Sequence, residues 1–382
     1  MKRALSVFIL LTVCAMLTGT GAFADDGRGG LIVVSMGDSY SSGEGIEPFY
    51  GQNDDVSEKV RNPDWLAHRS ERSWPGLLVF PEVGVPLNRL RRGTYYNGTL
   101  TQGSWYFVAA SGATVEHLRQ PQVRKYKKRG ASGKRGLLSV IPKNYSGKGK
   151  LEPQCSVLDA LRARGMYADY ITVTMGGNDV GFSSIIMASA VGGDHLRDIL
   201  NDLALGSHFF DGVYSLPAAL EKAWKKYHQS GIRNQIKQGY KTIWEANGRR
   251  GIILVAGYPE LLDSNGRGLP FSKNEARRVN EAVAEFNREL AKVVAECRSE
   301  GMSIWFISVE EAFRNRGAYS VDANGRSVAL INSVITGSRD EDLKDGAFVS
   351  DYSMHPNADG AAVYARCVQK FINEQLPSLK KR

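Results

Sequence analysis

The 382-residue sequence has few of the residues that build metal sites, covalent cross-links or membrane spans. It contains four cysteines and six histidines, with no Cys-x-x-Cys spacing and no clustered histidines, so neither a zinc site nor a redox motif is indicated. After the N-terminal segment, no apolar run approaches the ~20 residues that a transmembrane helix needs. No internal repeat or proline-rich linker divides the chain, which favours a single globular domain without a metal or other cofactor.

The N-terminus carries a pattern typical of a cleaved secretory signal. Residues 1–3 (MKR) are basic, residues 5–17 are largely apolar, and residues 22–24 (AFA) have the small-residue spacing of a cleavage site. We therefore expect a signal peptide over residues 1–24 and one mature domain over residues 25–382. The mature protein is predicted to be exported, to the periplasm or to the outside of the cell.

Removal of the signal leaves three cysteines, Cys155, Cys297 and Cys367. One disulfide and one free thiol are possible in an exported protein. Cys297 and Cys367 fall on the apolar stripes of predicted helices, which favours buried thiols over a bridge.

The net charge of +9 is concentrated in one segment. Residues 119–150 hold 11 Lys or Arg and no Asp or Glu, in a stretch rich in Gly and Ser, which predicts a solvated loop. An alternative is contact with an anionic surface, such as acidic phospholipid, lipopolysaccharide or acidic glycan. Nucleic acid is a poorer partner, because the segment interleaves few aromatic side chains with its charges.

Five short apolar segments, separated by helical patterns, predict the strands of a parallel sheet covered on both faces. We therefore expect an α/β fold of three αβα layers around a doubly wound, five-stranded parallel sheet. The segments are LIVVSM (31–36), WYFVAA (105–110), YITVTM (170–175), IILVAG (252–257) and SIWFIS (303–308).

Helical spacing of apolar residues is clearest over residues 274–299 and after the turn at residues 356–360. Residues 183–250 also contain several apolar stripes at helical spacing. We expect them to form a helical insertion that covers the sheet.

Polar and small residues follow three of the predicted strands. Ser39 follows the first, Gly112 the second and Asn178 the third. Ligands of a doubly wound sheet lie outside the carboxyl ends of the strands, so these residues are expected at one edge. A serine hydroxyl, a backbone N–H beside glycine and a neutral side-chain amide suit a nucleophile and the donors that stabilise an oxyanion.

His355 is the candidate base for Ser39. It stands in DYSMHPNADG, close after an acidic residue and just before the turn that opens the last predicted helix. A serine hydroxyl becomes nucleophilic when an imidazole accepts its proton. The remaining histidines are expected to be surface or packed side chains: His68, His117, His195, His208 and His228.

Four segments resemble, in chain order, the sequence blocks of the SGNH, or GDSL, hydrolase family: GDSYSSGEG, ASGATVEHL, TMGGNDVGF and MHPNADG. The sequence is most similar to the secreted bacterial lipase and esterase branch, and the likeness covers most of residues 31–368. The resemblance implies the flavodoxin-like SGNH hydrolase fold. The Gly-x-Ser-x-Gly elbow of the α/β-hydrolases is absent, since residue 41 is serine.

The resemblance also implies site residues. Ser39 would be the nucleophile and His355 the general base. The oxyanion hole would consist of the Ser39 N–H, the Gly112 N–H and the Asn178 side chain. The family often has an aspartate three residues before the histidine, whereas here Asp351 stands four before it. The imidazole would be oriented by Asp351 or by a backbone carbonyl of residue 352 or 353.

One further departure concerns cysteines. Relatives often bridge a cysteine before "RS" to one before "SGA", and this chain has Ala67 and Ala110 at those places. Loss of both halves together indicates a lost disulfide on an intact fold.

The leading functional prediction is an exported serine esterase or lipase that cleaves carboxylic esters through an acyl-serine intermediate. The ester would belong to a lipid or to an acylated glycan. One alternative is a carbohydrate O-acetylesterase of the same fold. The other is a non-catalytic surface protein that binds anionic glycan or membrane through residues 119–150.

Overall fold

The computed structural model describes residues 30–129, 133–135, 138–140, 144–181, 216–229, 231–265, 272–347 and 349–379. Leu31–Arg382 forms one compact unit. The expected signal peptide, most of the first half of the expected helical insertion, and both His195 and His208 lie outside the described residues. Within the described part of the chain, no helix is long and apolar enough to cross a membrane.

The strands are numbered in chain order. They are β1 (Val33–Gly37), β2 (Arg92–Gly93), β3 (Tyr95–Tyr96), β4 (Thr99–Leu100), β5 (Trp105–Phe107), β6 (Gln122–Arg129), β7 (Gly133–Arg135), β8 (Leu138–Val140), β9 (Asn144–Leu151), β10 (Tyr170–Thr174), β11 (Ile252–Ala256) and β12 (Ile304–Ile307).

The α-helices are numbered in the same way. They are α1 (Ser39–Ser42), α2 (Val56–Lys59), α3 (Pro63–Leu66), α4 (Ser156–Ala163), α5 (Gly177–Val180), α6 (Leu216–Gln229), α7 (Ile232–Ala246), α8 (Lys273–Ser299), α9 (Glu310–Phe313), α10 (Ala358–Glu374) and α11 (Leu376–Leu379). Short 3₁₀ turns span Pro75–Leu77, Leu87–Arg89 and Val115–Leu118.

The central sheet has the strand order β12-β11-β10-β1-β5-β2, and every neighbouring pair is parallel. From β1 the chain builds one side of the sheet through β5 and then returns to the other side through β10. This reversal is the switch point at which doubly wound sheets bind their ligands. The predicted α/β architecture is confirmed, and β1 lies at the switch point of the sheet.

Each of the five predicted apolar segments contains a strand of this sheet. The residues of β1 and β10 are all buried, which suits strands covered on both faces. The count of five strands was wrong, because β2 adds a sixth at the edge beside β5. β2 consists of Arg92 and Gly93 alone and therefore carries no apolar pattern.

The two clearest predicted helices are also confirmed. α8 begins at a capping box, in which Ser272 and Glu275 satisfy each other's backbone N–H groups. Its apolar stripe, which includes Cys297, is buried. α10 begins after Asn357, whose side chain accepts a hydrogen bond from the Gly360 N–H.

The basic segment differs from the expected loop. β6 and β9 pair antiparallel from Gln122↔Leu151 to Arg129↔Asn144, and they form a two-stranded ribbon that we call the basic ribbon. Lys127 also exchanges backbone hydrogen bonds with Leu343 and Asp345, which fixes one edge of the ribbon. Alternation of exposed and buried residues along β6 was hidden in the sequence by lysine and arginine on both faces.

The second half of the expected insertion belongs to the core. α7 connects β10 to β11 as the crossover helix of the sheet, and its apolar stripe is fully buried, including Ile236, Tyr240 and Ile243. α7 therefore forms part of a helical layer and is not a cover laid over it.

The cysteines carry no bridge among the described residues. Cys155 and Cys297 are buried and Cys367 is half-buried, and all three are free thiols. Ala67 and Ala110 are both buried in a small apolar cluster, and the Ser111 N–H donates to the Ala67 carbonyl. Packing and a backbone hydrogen bond thus join the two segments that a disulfide would join in relatives.

Gly37 is the last residue of β1 and lies close to the backbone of β10. Its φ of 115° lies in the region that favours glycine, and a Cβ at this position would overlap the Thr174 carbonyl oxygen of β10. Its N–H and carbonyl are both bonded by the side-chain amide of Gln154. The residue before the Asp38-Ser39 turn is therefore fixed on both sides.

Gly37→Ala is expected to lower the free energy of unfolding by at least about 3 kcal/mol, because it adds backbone strain to an overlap with a neighbouring strand. The matched control is Gly165→Ala, which also has positive φ (74°) but has nothing within 4 Å of the new Cβ. That control should cost only about 1 kcal/mol. Urea unfolding measures both, and equal losses would contradict the account of Gly37.

Candidate active site

Ser39 and His355 meet at the carboxyl end of β1. The Ser39 Oγ lies 2.8 Å from the His355 Nε2, although the residues are 316 positions apart in the chain. Both are buried, with 6% and 9% of their surfaces exposed. This is the distance at which an imidazole can accept the proton of a serine hydroxyl.

The turn that carries Ser39 is held by the side chain before it. Asp38 caps α1, since its Oδ1 accepts from the Tyr40 N–H at 3.0 Å and from the Thr174 hydroxyl at 2.7 Å. Its Oδ2 accepts a short hydrogen bond from the Tyr258 hydroxyl. Burial, the largest effect, raises the pKa of Asp38 to about 6 despite these three donors.

Tyr258, which follows β11, links the segments that follow β1 and β10. Its hydroxyl donates to Asp38 and accepts from the Gly177 N–H at 2.9 Å. The segments after β1, β10 and β11 are therefore joined through one buried phenol. No sequence pattern assigned this role to Tyr258, because it depends on partners that are 81 and 220 positions away.

The loop before α10 positions His355. The Tyr40 hydroxyl donates to the Met354 carbonyl at 2.9 Å, and the Asn332 N–H donates to the His355 carbonyl at 2.8 Å. Met354 has a φ of 61°, in the left-handed region that non-glycine residues seldom adopt. The imidazole is thus presented to Ser39 from a backbone that is fixed on both sides.

The environment of His355 favours its neutral form. Burial has the largest effect and lowers the pKa of His355, while the charges of Glu44 and Asp351 act in the opposite direction. The main-chain groups of Ser353 and Asp351 also act to raise it. A neutral imidazole is the form that accepts a proton.

Asp351 does not contact the imidazole through its carboxylate. Its side chain is exposed, and the His355 Nδ1 forms no well-aligned hydrogen bond within the described residues. The Asp351 N–H donates to the Asp342 carboxylate at 3.0 Å, which fixes its backbone in the loop. The structure therefore places Asp351 near His355 without the direct contact of a triad member.

Gly112 and Asn178 lie on the two loops that flank β1. The Asn178 Nδ2 donates to the Ala113 carbonyl at 2.9 Å, so the side chain of Asn178 is joined to the residue after Gly112. The Ala110 N–H donates to the Gly37 carbonyl at 3.0 Å. Within the described residues, the backbone N–H groups of Ser39 and Gly112 donate to no protein acceptor.

Asp179 shapes the same edge. Its carboxylate accepts from the Val115 N–H at 3.1 and 3.2 Å, and burial raises its pKa to about 6. It fixes the turn after Gly112.

A buried carboxylate–imidazole pair, Glu44 and His68, lies beside the site. The His68 Nδ1 lies 2.7 and 2.9 Å from the two carboxylate oxygens of Glu44, and both side chains are fully buried. Burial is the largest single effect and acts to raise the pKa of the Glu44 carboxyl, but the interactions with His68, His355 and Ser111 together lower this pKa. Glu44 stands inside the GDSYSSGEG segment, and no local pattern there distinguishes it from an ordinary turn residue.

Comparisons with known proteins give relatives only at the level of structure. No protein-family model matches the chain, and no curated protein sequence matches it. Solved structures similar to this chain include the extracellular lipase from Streptomyces rimosus, with 20% sequence identity and a TM-score of 0.52. They also include phospholipase A1 from Streptomyces albidoflavus, with 18% identity and a TM-score of 0.51. Each match covers 89% of this chain and 99% of the other. Likeness at this identity shows a common fold.

Asp38→Asn is expected to flatten the pH dependence of stability on the acid side. Asp38 binds its proton more tightly in the folded state, with a pKa of about 6, than in the unfolded chain, where aspartate has a pKa of about 3.9. The resulting stabilisation is fully present below about pH 4 and is lost as the pH rises through about 6. It amounts to roughly 3 kcal/mol.

Urea unfolding of both proteins between about pH 4 and pH 7 measures this difference. Asparagine keeps the oxygen that accepts from Tyr40 and Thr174, so the variant should fold. A difference in unfolding free energy that stays constant across this range would show that the Asp38 proton is not linked to folding.

Proposed function

We propose that this chain, which has the fold of the SGNH hydrolases, is an exported serine esterase or lipase that cleaves carboxylic esters through an acyl-serine intermediate. The observation that carries the proposal is the 2.8 Å contact between the Ser39 Oγ and the His355 Nε2 at the switch point of the sheet. Within the described residues, no group of three His, Cys, Asp or Glu side chains could hold a metal ion.

The reaction begins with proton transfer. The neutral His355 Nε2 accepts the hydroxyl proton of Ser39 while the Oγ forms a bond to the ester carbonyl carbon. The imidazolium then gives that proton to the leaving alkoxide as the ester C–O bond breaks, and the alcohol departs. Water, activated by the same imidazole, hydrolyses the acyl-serine and restores Ser39.

Three donors suit the negative charge that develops on the carbonyl oxygen. The N–H groups of Ser39 and Gly112 are free of protein acceptors in the described residues, and φ of 72° at Gly112 turns its backbone away from the strand direction. The amide of Asn178 uses one N–H for the Ala113 carbonyl and keeps a second for the substrate. Loss of one such donor costs about 10²–10³ in turnover.

The basic ribbon supports an anionic partner. Pairing places Lys125 and Lys127 of β6 on one face with Lys148 and Lys150 of β9, and all four side chains are exposed. Val123, 54% exposed, lies on the same face. None of these lysines forms an ion pair within the described residues. Such a face suits contact with an anionic lipid surface.

The ribbon also reaches the site. The Gln122 side chain donates to the Ser111 carbonyl at 2.7 Å, and the Arg124 Nη1 would lie 3.0 Å from a Cβ at Gly112. The Arg124 Nε is held by the Leu66 carbonyl at 3.0 Å. Gln122 and Arg124 lie on the face of the ribbon opposite to the exposed lysines, so the inner face of the ribbon contacts the site and its outer face carries the charge.

Two alternatives remain from the sequence analysis. A carbohydrate O-acetylesterase would use the same residues, and p-nitrophenyl esters of increasing chain length separate it from a lipase, since an acetylesterase prefers acetate. A non-catalytic protein that binds anionic glycan or membrane is favoured only by the basic ribbon. It gives no reason for the Ser39 to His355 contact.

Ser39→Ala is expected to lower ester hydrolysis by at least about 10⁴-fold and to abolish labelling by a fluorophosphonate probe, because the bond-forming oxygen is lost. The matched control is Ser73→Ala, since Ser73 is also buried and its hydroxyl has no hydrogen-bond partner within the described residues. Wild type that is neither active on any ester nor labelled would contradict the proposed function.

The variant K125Q/K127Q/K148Q/K150Q is expected to bind phosphatidylglycerol vesicles at least about tenfold more weakly, since each lysine near an anionic surface contributes about 1 kcal/mol. Hydrolysis of soluble p-nitrophenyl butyrate should be retained. Cosedimentation with vesicles at low and physiological salt measures binding. Phosphatidylcholine vesicles, and a soluble acidic glycan as competitor, show whether the anionic partner is a lipid or a glycan.

The control carries the same change of charge elsewhere, at four exposed cations remote in sequence: K225Q/K273Q/R288Q/K370Q. Equal loss of binding in the two variants would show that binding depends on the net charge of the protein and not on the position of the four ribbon lysines.

A further inference from the structure

Glu44 is a buried carboxylate beside the site that takes no part in the proton transfers described above. Glu44 is fully buried, and its N–H donates to the Ser39 carbonyl at 3.1 Å. The next residue, Gly45, packs against the loop of His355, because a Cβ there would lie 3.2 Å from the Tyr352 carbonyl. The side chain of Asn332 also donates to the Gly45 carbonyl at 3.3 Å while its N–H holds the His355 carbonyl. Glu44 is thus placed between the nucleophile turn and the histidine loop.

Aromatic side chains shield this carboxylate from water. Its partner His68 is stacked on Phe49 at 4.9 Å and meets the edge of Trp65 at 6.2 Å, and both aromatic rings are buried. Charges separated from water in this way interact more strongly than exposed ones. The field of Glu44 therefore acts on its surroundings with little screening.

His68 contacts the Glu44 carboxylate through one ring nitrogen. The Nδ1 contacts the carboxylate, and the Nε2 is buried with no hydrogen-bond partner within the described residues. The pKa of the Glu44 carboxyl is lowered, so this carboxylate is ionised at neutral pH.

We propose that Glu44 is the buried counter-charge of the site, a positioning residue whose carboxylate stabilises the His355 imidazolium that forms when the ester is attacked. The inference rests on the proposed function. It gives Glu44 the electrostatic part of the work that an aspartate hydrogen-bonded to the imidazole performs in a Ser-His-Asp triad.

The arrangement favours Glu44 over Asp351 for this role. Asp351 is exposed, so water and salt screen its charge, and its carboxylate makes no hydrogen bond to the imidazole. Of the charges that act on His355, that of Glu44 has the larger effect. The other polar neighbours, Ser39 and the Tyr40 ring at 5.2 Å, carry no charge at neutral pH.

Glu44→Gln keeps the size of the side chain and an oxygen that accepts from His68. Loss of the negative charge should lower the pKa of His355, so the acid limb of kcat/KM against pH is expected to move to lower pH by about one unit. At the pH plateau, kcat should fall about tenfold, because the imidazolium loses stabilisation in the transition state. Glu44→Asp, which restores the charge, should return the limb toward the wild-type position.

The matched control is Glu341→Gln, another buried glutamate, which accepts from the indole of Trp65 and from Lys59. It should destabilise the fold without moving the acid limb. Asp351→Asn should move the limb less than Glu44→Gln does. An unmoved limb in folded Glu44→Gln, or a larger shift in Asp351→Asn, would overturn the inference. If Glu44→Gln fails to fold, Asp351→Asn decides alone, because residue 351 is exposed and loss of its screened charge should move the acid limb by well under about one pH unit. A shift of about one unit or more in Asp351→Asn would then overturn the inference.

Failure of this inference can be distinguished from failure of the proposed function. An active wild type whose Ser39 is labelled, together with unchanged limbs, removes only the role of Glu44. Titration of His355 by NMR in the Ser39→Ala background needs no activity. There, Ser39→Ala/Glu44→Gln is expected to show a lower pKa for His355 than Ser39→Ala alone, and equal values would contradict the inference.

Discussion

The arrangement of the site depends on a buried carboxylate at the end of β1. Asp38 receives hydrogen bonds from the turn it caps, from Thr174 on the adjacent strand and from Tyr258 on the strand beyond it. Burying a carboxylate is unfavourable, and three donors offset much of that cost. The network fixes Ser39 in relation to β10 and β11, so that an imidazole from the far end of the chain meets its hydroxyl at a defined distance.

Function and stability compete at this edge of the sheet. Among the described residues, the N–H groups of Ser39 and Gly112 have no protein acceptor, and the His355 Nδ1 forms no well-aligned hydrogen bond. Met354 adopts a strained, left-handed backbone conformation. Each of these features costs free energy in the folded state. The surrounding core of apolar strands and of the buried stripes of α7 and α8 makes that cost tolerable.

The central sheet, and the meeting of Ser39 with His355, could be predicted from the sequence, because both leave local patterns. Apolar runs mark strands, and Ser39 and His355 stand next to a strand end and a helix start. Glu44 and Tyr258 could not be assigned in this way, since their roles arise from partners far along the chain. β2 was missed because two residues carry no periodicity. The basic ribbon was missed because exposed and buried positions alternate along β6 while lysine and arginine occur at both kinds of position.

The lysines of the basic ribbon have a second physical consequence. β9 pairs with β6 on one side, and no other described strand pairs with its opposite edge. An open edge of this kind invites pairing with the same strand of another molecule, the first step of aggregation. Lys148 and Lys150 place like charges along that edge, so two copies repel each other before their backbones can align. The charge that suits contact with a negative surface thus also opposes edge-to-edge pairing of two copies of this strand.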